Sequence, residues 1–201
     1  MPMRVVQGPP GKAVVHRRSE IRRTRLLGGA HIIWAAIAVL LLMPTLAAAQ
    51  DVTESALKAA FIYNFAKFTE WPADAAPVAE PLVLCVIGDA AVGDALERAV
   101  KGRLLAGHSM AVSHAEPAGQ RRVCHVLYVS GVTAGQAAQL VAGLRDAPVL
   151  TISDIDGFTE LGGVAQFFFE HGQLRFIVHL ESAKRAHLQI SSKLLTLARP
   201  K

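Results

Sequence analysis

Two cysteines among 201 residues are too few for a disulfide-dense scaffold or a four-thiolate zinc site. Charged residues are also sparse, at 18% against 52% apolar residues, which excludes a disordered, self-repelling chain. Apolar runs are short. The longest spans residues 32–43, below the roughly 20 residues of a membrane span. Histidines form neither HExxH nor an i, i+4 pair, so helix-borne zinc chemistry has no ligands. The segment Gly88-Asp-Ala-Ala-Val-Gly93 has phosphate-loop spacing, but Asp94 and Ala95 occupy the positions that need Lys and Ser/Thr. Gly107-His-Ser-Met-Ala111 precedes a strand rather than following one, which is the wrong setting for a nucleophile elbow. Asp154-Ile-Asp-Gly157 lacks the third ligand and distant Glu of a calcium loop, and is expected to be a capped turn. No internal repeat is present. A catalytic triad, a bound metal and a cofactor are therefore not expected.

What is present begins with an uneven charge distribution. Residues 1–49 carry seven basic residues and one acid, a balance of +6, and residues 50–201 carry 14 and 15, a balance of −1, together the formal +5. The basic pI belongs to the leader, so no nucleic-acid partner is implied. Arg17, Arg18, Arg22, Arg23 and Arg25 precede the apolar run, and Ala47-Ala48-Ala49 follows it. That order predicts a signal peptide over residues 1–49, cleaved before Gln50. The pair Arg22-Arg23 with Leu26-Leu27 resembles a twin-arginine signal. Residues 50–201 remain as one exported domain, long enough to bury a core without a staple.

Within that domain, helical spacing over about residues 53–71 places Leu57, Ala60, Phe61, Phe65 and Phe68 on one apolar face. Asp51 is the expected cap and Pro72 the stop. Continuous apolar runs at 82–87, 123–130 and 148–152 read as strands covered on both faces. Helical stretches at 90–100 and 133–145 and a short strand at 109–114 separate them. His171-Gly172 between two strand-like runs predicts a C-terminal hairpin. Residues 181–186, 188–191 and 192–199 add a short helix, a strand and a closing helix. The fold class is α/β, a single domain with a mainly parallel sheet flanked by helices and a C-terminal antiparallel hairpin. Cys85 and Cys124 fall in two of the apolar runs, either as a disulfide or as two buried thiols. The crevice beside Gly88-Asp89 and Ser130-Gly131, at the carboxyl ends of two strands, is the expected ligand position if the domain is a periplasmic small-molecule binding module.

Five ordered blocks carry a resemblance. These are Lys58-Ala-Ala-Phe-Ile-Tyr-Asn-Phe-Ala-Lys-Phe-Thr-Glu-Trp-Pro72, Leu84-Cys-Val-Ile-Gly-Asp89, Cys124-His-Val-Leu-Tyr-Val-Ser130, Val149-Leu-Thr-Ile-Ser-Asp154, and Gly162-Gly163 through Ser191-Ser-Lys-Leu-Leu195. Together they resemble the YfiR family of bacterial periplasmic proteins. The resemblance implies an exported dimeric α/β domain that is not an enzyme. It would bind the periplasmic domain of a membrane diguanylate cyclase and repress it, lowering cyclic-di-GMP output and biofilm formation. By the same resemblance the family's bridging cysteines fall on Cys85 and Cys124. A second pair found in some relatives is missing. Relatives often have an acidic residue, Asn and Gly where Ile177, His179 and His187 stand, so no partner-contact residue is carried over.

Overall fold

The computed structural model describes residues 44–77, 79–116 and 124–199, with side chains from Glu54 onward. Of the expected leader over 1–49, residues 1–43 lie outside them. Residues 48–201 form one compact unit. No helix among the described residues is long and apolar enough to cross a membrane.

Helix α1 (Pro44–Lys67) comes first. It starts before Asp51, which therefore sits inside the helix rather than capping it, and it ends before Trp71. Its C-terminus is closed by Thr69, whose hydroxyl donates to Phe65 O at 2.8 Å. Strand β1 (Thr69–Glu70) follows at once and pairs antiparallel with β9 (Gln189–Ile190). The buried face also differs from the expected one. Ser55, Lys58, Ala59, Ile62, Phe65, Ala66 and Thr69 are inside, whereas Leu57 is 38% exposed. A lysine replaces leucine on the inner face because it finds charged partners there, described below.

The remaining elements are β2 (Leu82–Ile87), α2 (Ala90–Val100), β3 (Leu104–Leu105), β4 (His108–His114), β5 (Val126–Val129), α3 (Ala134–Gly143), β6 (Leu150–Ser153), β7 (Ala165–Glu170), β8 (Gln173–Val178), α4 (Leu180–Arg185), β9 and α5 (Ser192–Leu195). Seven strands form a sheet of order β3-β4-β2-β5-β6-β7-β8. Its centre, β4 to β7, is parallel, and β3 and β8 add antiparallel edges. The fold is α/β as its strand and helix alternation predicts, and the hairpin is β7–β8. Helix α3 opens with Thr133, which forms a full capping box with Gln136.

Two apolar clusters sandwich the sheet. One joins α1 and α2 to Leu84, Val86, Tyr128, Ile152 and Phe167. The other joins Leu140 and Leu144 of α3 to Cys85, Ile87, Cys124, Leu127 and Val129. Alternate residues of β2 and β5 serve opposite clusters, which explains why both strands read as unbroken apolar runs. Phe65 of α1 meets Phe167 and Phe176 edge-on, with centroids 5.7 and 4.9 Å away. The aromatic stripe of α1 is thus core, worth about 0.5–1.5 kcal/mol per ring pair beyond its area.

Candidate functional site

Parallel strands end their ladders together, so side chains just past β5 and β6 converge at one end of the sheet. Asp154 is the first residue after β6. Its Oδ2 accepts from Lys58 Nζ at 2.7 Å, Tyr128 OH at 2.9 Å and Ser130 Oγ at 3.1 Å. Lys58 Nζ also lies 2.7 Å from Glu54, one helical turn away. Burial alone would raise the Asp154 carboxyl, but the bonds from Lys58, Ser130 and Tyr128 outweigh it and hold the carboxyl below the usual range. The same contest runs in reverse for Lys58. Burial opposes its charge, yet the bonds to Asp154 and Glu54 push its ammonium up. Burial first, then the Asp154 charge, pushes the Tyr128 phenol far up.

At neutral pH the cluster is therefore an ion pair beside a neutral phenol. The residues 154–157 are more than a capped turn: Asp154 is the acceptor that three side chains share. A cleft of about 310 Å³ opens beside it, lined by Glu54, Lys58, Asp154, Asp156, Phe167–Phe169 and Leu174. Phe169 on its rim is 48% exposed.

The crevice expected between the first two loops is differently built. Gly88 has φ +82°, and a Cβ placed on it would sit 1.9 Å from Ser130 O. Ser130 N donates back to Ile87 O at 3.0 Å. The two loops touch, and the Asp89 carboxylate is occupied as the cap of α2, accepting from Val92 N at 3.0 Å. The open cleft lies instead towards β7 and α1.

At the opposite end of the sheet, Cys85 and Cys124 are joined in a disulfide with Cα atoms 5.8 Å apart. Both are buried, at 2% and 3% exposure. Next to the bridge, His125 ties three segments together. Its Nδ1 accepts from Val83 N at 3.0 Å and its Nε2 faces Ala75 O at 2.9 Å. Its carbonyl accepts from Trp71 Nε1 at 3.2 Å.

Each histidine from His108 onward has a local structural task. His108 Nδ1 meets Glu80 O at 3.0 Å. His114 lies 3.5 Å from Glu97. His171 and Gly172 take φ of 50° and 75°, the left-handed pair of a type I′ hairpin turn. His179, which interrupts the apolar run of β8, caps α4 by accepting from Ser182 N at 3.2 Å. His187 has φ 57° and closes α4 in a Schellman motif, with His187 N bonding Lys184 O and Leu188 N bonding Ala183 O. Among the described residues no group of three or more His, Cys, Asp or Glu is placed to hold a metal ion.

Lys58 and Asp154 escape sequence reasoning because they are 96 residues apart. The available signal was a lysine at i+3 from Ser55 and i−4 from Ile62, on the face that the helical period assigns to the core.

The comparison with known families covers this whole assembly. The profile of the family described as YfiR/HmsC-like matches residues 55–199, from the inner face of α1 to the C-terminal tail. The chain belongs to the YfiR/HmsC-like family. No curated protein matches it. In this YfiR/HmsC-like domain the matched span includes both cysteines, His125, the Lys58–Asp154 pair and the C-terminal hairpin. It also includes Arg199, whose amide donates to Phe176 O at 2.8 Å along the outer edge of β8 and whose guanidinium pairs with Glu170.

Proposed function

We propose that this YfiR/HmsC-like domain is a periplasmic regulator, exported by cleavage between Ala49 and Gln50. As a homodimer it docks on the periplasmic domain of an inner-membrane diguanylate cyclase and holds the cyclase off, lowering cyclic-di-GMP and biofilm formation. The observation that carries the reading is the family match over residues 55–199, nearly all of the folded domain. A buried disulfide agrees with an oxidising compartment. A non-catalytic role agrees with the polar cluster, where the Asp154 carboxylate is engaged by three donors and the Tyr128 phenol is fully buried. Neither is free as a base or nucleophile.

Repression is then a binding problem. The domain must prefer the inactive cyclase, and moving a two-state equilibrium from 1:99 to 99:1 takes about 5.5 kcal/mol of differential affinity. The test is co-purification of the chain with the periplasmic domain of an adjoining membrane cyclase, together with cellular cyclic-di-GMP in a deletion strain. A complex and raised cyclic-di-GMP on deletion are expected. No complex with that domain, or an unchanged nucleotide level, defeats the reading.

A second reading is favoured by the cleft beside Lys58 and Asp154, whose volume of about 310 Å³ reaches the range of small-molecule sites. A periplasmic binding module would show a melting temperature that rises with ligand concentration in a metabolite screen.

A further inference from the structure

The environment of His125 goes beyond any docking role, and it stands on geometry at the disulfide end of the sheet. In a parallel ladder the Val83 amide would find a strand carbonyl. Here His125 N donates to Val83 O at 2.8 Å, and the imidazole Nδ1 supplies the missing acceptor for Val83 N. Only an unprotonated Nδ1 can accept, so the ring is the neutral tautomer with its proton on Nε2, aimed at Ala75 O. An imidazolium has two donors and no acceptor. Adding one proton would set two N–H groups against each other, 3.0 Å apart.

The ring also borders an approach to the bridge. A cleft of about 430 Å³ is lined by Asp74, Ala75, Glu80, Pro81, Val83, Cys124, His125 and Pro148. Cys124 lines it and Cys85 does not, so the cleft lies on the Cys124 side of the bridge.

We propose that His125 is a proton-operated latch on the Cys85–Cys124 bridge: protonation at Nδ1 releases the Val83 amide, loosens the start of β2 against β5 and admits a dithiol reductant to Cys124. In the step it controls, the reductant's thiolate attacks Cys124 Sγ, forming a mixed disulfide. The Cys85–Cys124 bond breaks, and Cys85 leaves as a thiolate that takes up a proton. The reductant's second thiol then displaces Cys124, so two electrons pass from the dithiol to the bridge.

The groups that face the ring set the pH at which the latch opens. Burial is the largest influence and holds the imidazole below its usual value of 6.5, with His108 on β4 acting in the same direction. The Ala75 carbonyl and Glu80 oppose them, and Asp74 lines the same cleft. The bond to Val83 is therefore intact at neutral pH and is lost as acidity increases below 6.5.

The experiment measures the rate of bridge reduction in the full-length chain as a function of pH. A phosphine reductant replaces the dithiol, because a thiol's own ionisation would mask the effect. The control is His125→Asn, whose Oδ1 occupies the place of Nδ1 and accepts from Val83 N without titrating. Between about pH 7.5 and about pH 5 the wild-type rate, divided by that of the variant, is expected to rise about five- to tenfold, the effect of one lost hydrogen bond on an opening equilibrium. An unchanged ratio overturns the proposal. If the variant does not fold, two observables that leave His125 in place decide. Hydrogen exchange at the Val83 amide, corrected for its intrinsic pH dependence, should speed up over the same range. With Trp34→Phe removing the other tryptophan, Trp71 fluorescence should report imidazole titration below 6.5, since the two rings lie 6.3 Å apart. A Val83 amide equally protected at both pH values, or a Trp71 signal without that titration, also overturns it.

Discussion

Replacing Asp154 with alanine is the most informative single perturbation of the core. One oxygen, Oδ2, serves three donors, and their fates differ once it is gone. Tyr128 is completely buried, so its hydroxyl loses its acceptor with no access to water, at about 1–3 kcal/mol. Ser130 is half-buried and can turn to solvent. Lys58, with a side chain 9% exposed, keeps only Glu54. Breaking a buried pair from one side costs about 3–5 kcal/mol, and that is the expected loss for Asp154→Ala.

Lys58→Met should cost less, about 1–2 kcal/mol, because the carboxylate keeps two hydroxyl donors and some solvent contact. The double variant should be more stable than the sum of the singles implies, by roughly 1.5 kcal/mol or more. Urea unfolding at pH 7 with unchanged slopes measures all three. The acid limb adds a sign. The Asp154 carboxyl is held below its ordinary 3.8, so the unfolded chain binds more protons there. The stabilisation is complete above that value and is lost as pH falls below it towards the folded value, which makes the acid dependence of Asp154→Ala shallower. Equal costs for the two single variants together with strict additivity would refute this account of the cluster.

Removal of the bridge by Cys85→Ala with Cys124→Ala should lower stability by about 4 kcal/mol, the chain-entropy value for closing a loop between residues 39 apart. Scanning calorimetry should show a melting temperature lower by about 8–16 °C; a drop of 2 °C or less, by roughly the same conversion, would contradict the value. Gly88→Ala combines a left-handed φ with a clash against Ser130 O and should cost about 2–5 kcal/mol. A near-neutral result in the same urea assay would mean that the two loops separate freely. His187→Gly relaxes a non-glycine residue at φ 57° and should stabilise by about 0.5–1 kcal/mol; a destabilised variant would show that the imidazole itself is needed.

Much of the fold is legible in the sequence, and the reasons are local. β2, β5 and β6 are covered on both faces, so they read as unbroken apolar runs. His171-Gly172 announces a hairpin through the backbone conformations that it tolerates, and Thr133 announces a helix start as a residue type that caps well. The face of α1 was misread because Leu57 looks more like core than Lys58 does. That preference reverses only when a carboxylate arrives from β6.

The two-residue β1 is too short to leave a periodic signal, although its partner β9 falls within the strand expected at 188–191. The candidate cleft was sought by Gly88 and Ser130, where strand ends usually leave room, yet a glycine contact brings those loops together and the opening lies beside Phe167–Phe169. Composition could not reveal this, because it depends on how closely two backbones approach.

The amino-acid order by itself determined the α/β alternation, the hairpin, the capping of α3 and the family, since each is written in neighbouring residues or in ordered blocks. Only the tertiary structure decided which carboxylate answers Lys58, where the cleft opens and which nitrogen of His125 carries the proton. Those outcomes rest on contacts between residues 42 to 96 positions apart, and such partners are set by chain packing and exclusion of water rather than by any local pattern.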